Sequence, residues 1–120
     1  MNTRTIVLGA STKPQRYSNK AVKLLQKHDV PVFPVGLREG EINGTKIHTE
    51  FPTEGDFHTL TLYLNPKRQA PFMAKANSLN LKRVIFNPGT ENREWAEKLE
   101  EKDIEVVENC TLVMLNNAMF

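Results

Sequence analysis

Residues 5–19 of the chain read TIVLGASTKPQRYSN, and this stretch decides the predicted fold. Residues 6–8 are consecutive, bulky and apolar, which is typical of a strand buried on both faces of a parallel sheet. Gly9 permits a sharp turn and a close approach of a ligand to the backbone. A helix that begins near Ser18 would direct unpaired N–H groups and the positive end of its dipole beyond the strand, whereas in the purely structural interpretation Ser18 only caps this helix. The stretch predicts an anion-binding turn, although a purely structural turn fits the same residues.

The composition limits the class of protein. With 120 residues, the chain is expected to form one domain over residues 1–120. The 25% of charged residues and the net charge of +2 indicate an ordinary soluble protein without a nucleic-acid partner. The absence of a long apolar run and of a signal-peptide pattern predicts no membrane association and a cytoplasmic location.

Predicted strands and helices alternate along the rest of the chain. We predict strands over residues 30–35, 56–64, 83–86 and 104–107, and helices over 18–28, from about Pro71 to 79, and after a capping Thr90. Residues 36–55 are polar and hold one small strand at 45–48, while residues 111–114 either extend the last strand or begin a short turn. The alternation predicts right-handed βαβ units in an α/β, doubly wound sheet of about five parallel strands with flanking helices.

Four polar segments follow the carboxyl ends of the predicted strands. Doubly wound sheets bind ligands beyond those ends, at the point where the strand order reverses. We therefore expect one cleft to be formed by residues 9–18, 36–38, 65–68 and 87–90. This convergence follows from the topology and does not require any of these residues to be catalytic.

The strand ends carry a resemblance to a known family. The segments VLGASTKPQRYSN, FPVG, LYLNPKRQAPF, IFNPGTEN and VVENC are similar to those of single-domain CoA-binding proteins, whose Rossmann-like fold is shared with the CoA-binding domain of succinyl-CoA synthetase. The resemblance covers nearly the whole chain. It is most specific in Gly-Ala-Ser, the following proline and arginine, and the Ser-Asn that opens the first helix. It implies that the chain binds a small-molecule nucleotide ligand, CoA or acyl-CoA, without catalytic residues of its own.

The resemblance also implies a set of ligand-binding residues. It places Gly9, Ala10, Ser11, Arg16, Tyr17 and Ser18 at the pyrophosphate, Gly36, Leu37 and Arg38 near the adenosine, and Asn65, Pro66 and Lys67 at the border of the ligand. The fourth segment adds Asn87 and Gly89 to the predicted site. Two positions depart from the family pattern. Many members have Asn-Pro where this chain has Gly36-Leu37, and a glutamine more often precedes the glycine where this chain has Asn87-Pro88-Gly89.

The alternative function is that of an NADP-type nucleotide-binding oxidoreductase. A dinucleotide-binding turn has the pattern G-x-G-x-x-G, and this chain has only Gly9, with Ser11 and Pro14 at the later positions. An NAD site also has a carboxylate at the end of the second strand, where this chain has Arg38. A guanidinium there suits a phosphorylated ribose, as in NADP or in the 3′-phosphate of CoA.

Other candidate chemistry is weak in the sequence. His28, His48 and His58 share no spacing that predicts a metal site or a catalytic triad, so no metal is expected. The single cysteine, Cys110, excludes an intramolecular disulfide and ends the last strand near the predicted cleft. A small, buried, inert residue is favoured there over a thiol that forms a mixed disulfide with CoA.

A third hypothesis is a non-catalytic interaction module with the same fold. Met114, Met119 and Phe120 are apolar and close to the C-terminal end of the sequence. Apolar residues in this position are suited to covering a homodimer interface.

Overall fold

Five parallel strands form the central sheet of the protein, which is described for residues 3–120 by a computed structural model. These strands are β1 (Thr5–Leu8), β2 (Val32–Val35), β5 (Thr59–Leu62), β6 (Arg83–Phe86) and β7 (Glu105–Glu108), in the order β2-β1-β5-β6-β7. A separate antiparallel hairpin consists of β3 (Gly40–Ile42) and β4 (Thr45–Ile47). The helices are α1 (Tyr17–Lys27), α2 (Pro66–Ser78), α3 (Arg93–Glu101) and α4 (Thr111–Asn116). The predicted α/β, Rossmann-like doubly wound sheet is confirmed.

Strand β1 lies inside the sheet and separates two apolar layers. Ile6 is opposite Phe33 of β2 and Leu60 of β5, and all four side chains of β1 are buried, as the consecutive apolar residues predict. Ile6 and Leu8 pack in a cluster that includes residues of α2 and α3. Val7 points to the opposite face and packs in a cluster that includes residues of α1 and α4. The helices therefore cover both faces of the sheet.

Strand β2 forms one edge of the sheet, which accounts for its proline. Pro34 cannot donate to a ladder, and such residues are tolerated in edge strands. On the outer side of β2, Val35 forms an isolated bridge with His48, next to the predicted small strand at 45–48. Strand β3 was not predicted. It is joined to β4 by Asn43 and Gly44 with φ of 45° and 82°, the positive values that a two-residue hairpin turn requires.

Two predicted helix caps are wrong. The N-cap of α1 is Arg16, whose side chain makes no capping hydrogen bond, while Ser18 is buried inside the first turn. The N-cap of α3 is Asn92, whose side-chain oxygen accepts a hydrogen bond of 3.2 Å from the Trp95 N–H. Thr90 instead donates its hydroxyl to the Asn87 carbonyl at 2.8 Å, so it stabilises the loop before the helix.

Helix α2 begins earlier than predicted. Its N-cap, Asn65, accepts a hydrogen bond of 3.0 Å from the Arg68 N–H, and Pro66 occupies the first turn, where its missing N–H costs nothing. Pro71 lies inside the helix instead of starting it. Residues 111–114 belong to helix α4, so they neither extend the last strand nor form only a turn. Within residues 3–120, no helix combines the length and the hydropathy that crossing a membrane requires.

Candidate functional site

A cleft of about 520 Å³ opens at the carboxyl ends of the parallel strands. The cleft lies above β1, where the strand order reverses, since β2 lies on one side of β1 and β5 on the other. Ligands usually bind at this position in doubly wound sheets. The loops after β1, β2, β5 and β6 form its walls. The lining residues are Gly9, Ala10, Ser11, Thr12, Lys13, Arg16, Tyr17, Ser18, Leu37, Arg38, Tyr63, Leu64, Arg68, Pro88 and Thr90.

The structure brings most of the predicted segments to this cleft, but not every predicted residue lines it. The predicted residues that line it are Gly9, Ala10, Ser11, Arg16, Tyr17, Ser18, Leu37 and Arg38. The predicted residues that do not line it are Gly36, Asn65, Pro66, Lys67, Asn87 and Gly89. Contact of any of these residues with a ligand stays a prediction.

The residues missing from the predicted set fall into two groups. The first group lies within the segments that were predicted to form the cleft, although these residues were not named as site residues. They are Thr12, Lys13, Arg68, Pro88 and Thr90. Tyr63 and Leu64 were assigned to a strand, but β5 ends at Leu62 and releases them into the wall of the cleft.

The loop after β1 is held tightly against its neighbours. Gly9 has a φ of +101°, and a Cβ atom built there would lie 3.1 Å from backbone and Cβ atoms of Tyr63. The N–H groups of Gly9 and Ala10 both donate to the Val35 carbonyl, at 2.8 and 2.9 Å. Farther along the loop, the Asn19 side chain donates to the Ser11 carbonyl at 2.8 Å. The backbone that faces the cleft is therefore fixed by strand, helix and loop contacts.

Gly36 lies where the end of β2 meets the loop after β1. A Cβ atom at this position would overlap the Ala10 carbonyl oxygen, so the end of β2 and the loop after β1 approach as closely as glycine allows. The next two residues, Leu37 and Arg38, project at the mouth of the cleft, and the Leu37 side chain is 82% exposed. Gly36 contributes by letting the two loops meet, not by lining the cleft.

The N-terminus of α1 opens into the cleft without a local capping group. Tyr17 and Ser18, which begin this helix, line the cleft, and the Arg16 side chain makes no capping hydrogen bond. The first turn contains no acidic residue. The unpaired N–H groups and the positive end of the helix dipole therefore favour an anion at this position.

The charged residues that line the cleft are all cationic. They are Lys13 and Arg16 after β1, Arg38 after β2 and Arg68 in the first turn of α2, and the described lining contains no carboxylate. Because the chain as a whole has a net charge of only +2, this local excess of positive charge is a property of the site.

Below the cleft, polar side chains connect the strand ends. The Asn87 amide donates to the Thr61 hydroxyl at 2.7 Å and to the Leu62 carbonyl at 2.8 Å, and its oxygen accepts the Thr111 N–H at 2.8 Å. The side chain of Asn87 is thus committed to the floor of the site. The Tyr63 hydroxyl is buried, and burial above all raises the pKa of this phenol.

The histidines and Cys110 lie outside the cleft lining. The His48 ring stacks on Phe33 with 4.0 Å between ring centroids, and His58 Nδ1 lies 2.8 Å from the Thr59 hydroxyl. Cys110 is half-buried at the N-cap of α4, and a reaction of its thiol with CoA stays a prediction. In the part of the chain that the structure describes, no three His, Cys, Asp or Glu side chains form a group able to hold a metal ion.

The three apolar residues predicted to cover a dimer interface have different environments. Met114 is 3% exposed and belongs to the core, and Phe120 packs on the Arg83 guanidinium with 4.3 Å to its ring centroid. Only Met119 is largely exposed, at 58%. Met114 is therefore unavailable for a contact between copies, and a homodimer contact through Met119 and Phe120 stays a prediction.

The comparisons with known proteins identify the family and the fold of the chain. Residues 3–116 match the family described as "CoA binding domain", whereas the curated proteins contain no match. A crystal structure of an uncharacterized protein has 43% sequence identity and a TM-score of 0.95, covering 100% of this chain and 99% of that chain. A hypothetical protein from Pyrococcus horikoshii has 27% identity and a TM-score of 0.81, covering 96% and 82% of the two chains.

A more distant structural match lies within a much larger enzyme. A dinucleotide-forming acetyl-coenzyme A synthetase from Candidatus Korarchaeum cryptofilum has 14% identity and a TM-score of 0.73. The match covers 89% of this chain but 25% of the synthetase chain, and at this identity it shows the fold alone. Because the family match extends over residues 3–116, the chain belongs to the CoA-binding domain family.

Proposed function

We propose that the cleft binds CoA or an acyl-CoA and that the chain acts through this binding, without catalytic residues of its own. The observation that carries the proposal is the uncapped N-terminus of α1, which opens into a cleft whose charged lining residues are all cationic. CoA is a polyanion with a pyrophosphate and a separate ribose phosphate, so its charge complements this lining.

The pyrophosphate is assigned to the loop after β1. The first turn of α1 offers backbone N–H groups, and Ser11 and Ser18 add hydroxyls at the same wall. Arg16 stands between the loop and the helix and provides a charge-assisted donor. This assignment uses the part of the cleft where an anion gains both the helix dipole and a guanidinium.

The adenosine is assigned to the end of the cleft formed by Leu37 and Arg38. Arg38 supplies the charge that the 3′-phosphate needs, and the exposed Leu37 offers an apolar contact beside it. The pantetheine then runs to the opposite end, past Tyr63, Leu64 and Pro88. This end combines apolar surface with few charges, as an uncharged chain with amide groups requires.

Isothermal titration of the purified protein with CoA, dephospho-CoA and NADP tests the proposal. We expect CoA to bind at one site per chain, and we expect Arg16→Glu to weaken binding by about tenfold or more, because one charge-assisted bond becomes repulsion. Arg93→Glu is the matched control, since Arg93 is an exposed arginine on α3 outside the cleft. Absence of CoA binding, or tighter binding of NADP, contradicts the proposal.

A further inference from the structure

Gln69 is a buried amide that joins two walls of the cleft. Its side chain is 0% exposed on α2, and its Nε2 donates to the Leu64 carbonyl at 2.8 Å and to the Thr90 carbonyl at 2.7 Å. Leu64 and Thr90 line the cleft and belong to the loops after β5 and β6. One side chain therefore links two loops that are otherwise separated along the chain by helix α2 and strand β6.

The orientation of the Gln69 amide is fixed by its neighbours. Asn92 uses its side-chain oxygen to accept the Trp95 N–H, so its Nδ2 faces Gln69 and donates to Gln69 Oε1 at 2.9 Å. Gln69 must then present its NH₂ group to the two carbonyls. Both donors and the acceptor of Gln69 are used, as a buried amide requires.

The rest of this wall is already rigid on the β6 side. The N–H and the hydroxyl of Thr90 both donate to the Asn87 carbonyl, at 3.0 and 2.8 Å. Asn87 is in turn bonded to Thr61, Leu62 and Thr111. In the loop after β5, Leu64 packs against the core, and its carbonyl is held by the hydrogen bond from Gln69.

We propose that Gln69 is a positioning residue that sets the spacing between the loops after β5 and β6, and thereby the affinity for the pantetheine half of CoA. This inference rests on the proposed function. Without the Gln69 donors, the buried Thr90 carbonyl and the part-buried Leu64 carbonyl lose this partner and must reach water, which separates the walls at Leu64 and Thr90. The loop after β1 and the Arg38 end of the cleft have no contact with Gln69 in this network, so the adenosine half keeps its geometry.

The test compares two ligands on matched variants. CoA occupies the whole proposed site, whereas adenosine 3′,5′-bisphosphate lacks the pantetheine and one phosphate of the pyrophosphate. Gln69→Met keeps the length of the side chain and removes both donors. Asn77→Ala is the control, because Asn77 on the same helix accepts the Trp95 Nε1–H at 3.1 Å and so joins α2 to α3 away from the cleft. If Gln69→Met does not fold, Gln69→Glu replaces it, since the carboxylate still accepts from Asn92.

We expect both variants to unfold at a lower temperature than the unmutated protein. In calorimetric titration, Gln69→Met should lower the affinity for CoA by about tenfold and change the affinity for adenosine 3′,5′-bisphosphate by less than about twofold. Asn77→Ala should leave both affinities unchanged. Equal losses for the two ligands, or unchanged CoA affinity in Gln69→Met, would overturn the positioning role. If the unmutated protein binds no CoA, the proposed function itself fails, which the first titration shows before any variant is used.

Discussion

Asn19 in the first turn of α1 donates its side-chain N–H to the carbonyl oxygen of Ser11, across a distance of 2.8 Å. Asn19 is 2% exposed and does not line the cleft, so the Ser11 carbonyl is directed toward the helix behind the loop. A carbonyl oxygen that faced the cleft would repel a phosphate. The bond thus favours an arrangement in which the loop offers donors to an anion.

Replacing Asn19 tests this relationship. We expect Asn19→Ala to lower the free energy of unfolding by about 1 kcal/mol and to weaken CoA binding by about tenfold, because the Ser11 carbonyl is released. Urea denaturation and calorimetric titration measure the two effects.

A control for Asn19 exists on the same helix. Gln26 also donates to a backbone carbonyl, that of Ile42 at 3.2 Å, and both amides have a side-chain oxygen without a partner in the described chain. Gln26 also donates to the Thr45 hydroxyl at 2.8 Å, so Gln26→Ala should cost at least as much stability as Asn19→Ala and leave CoA affinity unchanged. Equal CoA affinities in the two variants would contradict a role for Asn19 in the cleft.

Gly9 is the second position where one substitution should affect both stability and CoA binding. Gly9→Val places a branched side chain at a φ of +101° and 3.1 Å from Tyr63 atoms. We expect it to destabilise the protein by about 2 kcal/mol or more through strain and overlap, and to prevent CoA binding by blocking the loop. Denaturation curves and titration of the folded protein provide the measurement.

Gly44→Val is the control that separates backbone strain from steric overlap. Gly44 has a φ of +82°, but no atom lies within 4 Å of a Cβ built there. This variant should lose less stability than Gly9→Val and bind CoA normally. A folded Gly9→Val protein with undiminished affinity would place the phosphate site elsewhere.

The sequence predicted the architecture because its strongest signals are local. Residues 6–8 and 84–86 are short apolar runs followed by turn residues, and each lies in a buried strand of the parallel sheet. Once the sheet is parallel, the segments after the strands must meet at one edge. For this reason, the segments of the cleft were predicted better than the individual residues.

The positions that were missed depend on register and on distant partners. Tyr63 reaches the cleft because Leu8 pairs with Leu62, which places the next residue beside Gly9. Gln69 resembles a surface residue of an amphipathic helix, and only carbonyls from two other loops make its burial favourable. Strand β3 was also missed, although the sequence contains a signal for it: the Asn-Gly pair that follows β3 is typical of a two-residue hairpin turn.

His58, at the amino ends of the strands, is expected to make the stability of the protein depend on pH. Arg83 is 8% exposed and its Nε donates to the Thr59 hydroxyl at 3.1 Å, and that hydroxyl lies 2.8 Å from His58 Nδ1. A guanidinium only donates, so the Thr59 hydroxyl can donate its own proton to His58, which then accepts as a neutral ring. Burial first, and then the charges of Arg83 and Lys82, lower the pKa of His58 against the opposing effect of Glu105.

The lowered pKa sets the direction of the effect. Below pH 6.5 the unfolded chain binds a proton at His58 that the folded chain resists, so stability is lost as the pH falls through the folded pKa. We expect the free energy of unfolding to decrease between about pH 7 and about pH 5 and His58→Gln to reduce that decrease. Urea denaturation at several pH values measures it. An unchanged slope in His58→Gln would contradict this assignment.

Arg38 is the residue expected to distinguish CoA from its dephosphorylated form. It lines the mouth of the cleft beside Leu37, at the end assigned to the adenosine. CoA and dephospho-CoA differ only in the 3′-phosphate, so their affinity ratio isolates one contact. A charge-assisted hydrogen bond of about 1.5–3 kcal/mol corresponds to a preference for CoA of roughly one to two powers of ten.

Arg38→Ala should remove most of the preference for CoA and leave the affinity for dephospho-CoA nearly unchanged. Arg16→Ala is the matched cleft variant, because the loss of a contact with the pyrophosphate should lower the affinity for both ligands by the same factor. Calorimetric titration at two salt concentrations measures the ratio, and the preference should shrink at the higher concentration because the mouth of the cleft is open to solvent. Equal affinities for the two ligands in the unmutated protein would exclude Arg38 as the phosphate contact. If Arg16→Ala changes the ratio of the two affinities and Arg38→Ala does not, the 3′-phosphate is bound by the loop after β1 instead.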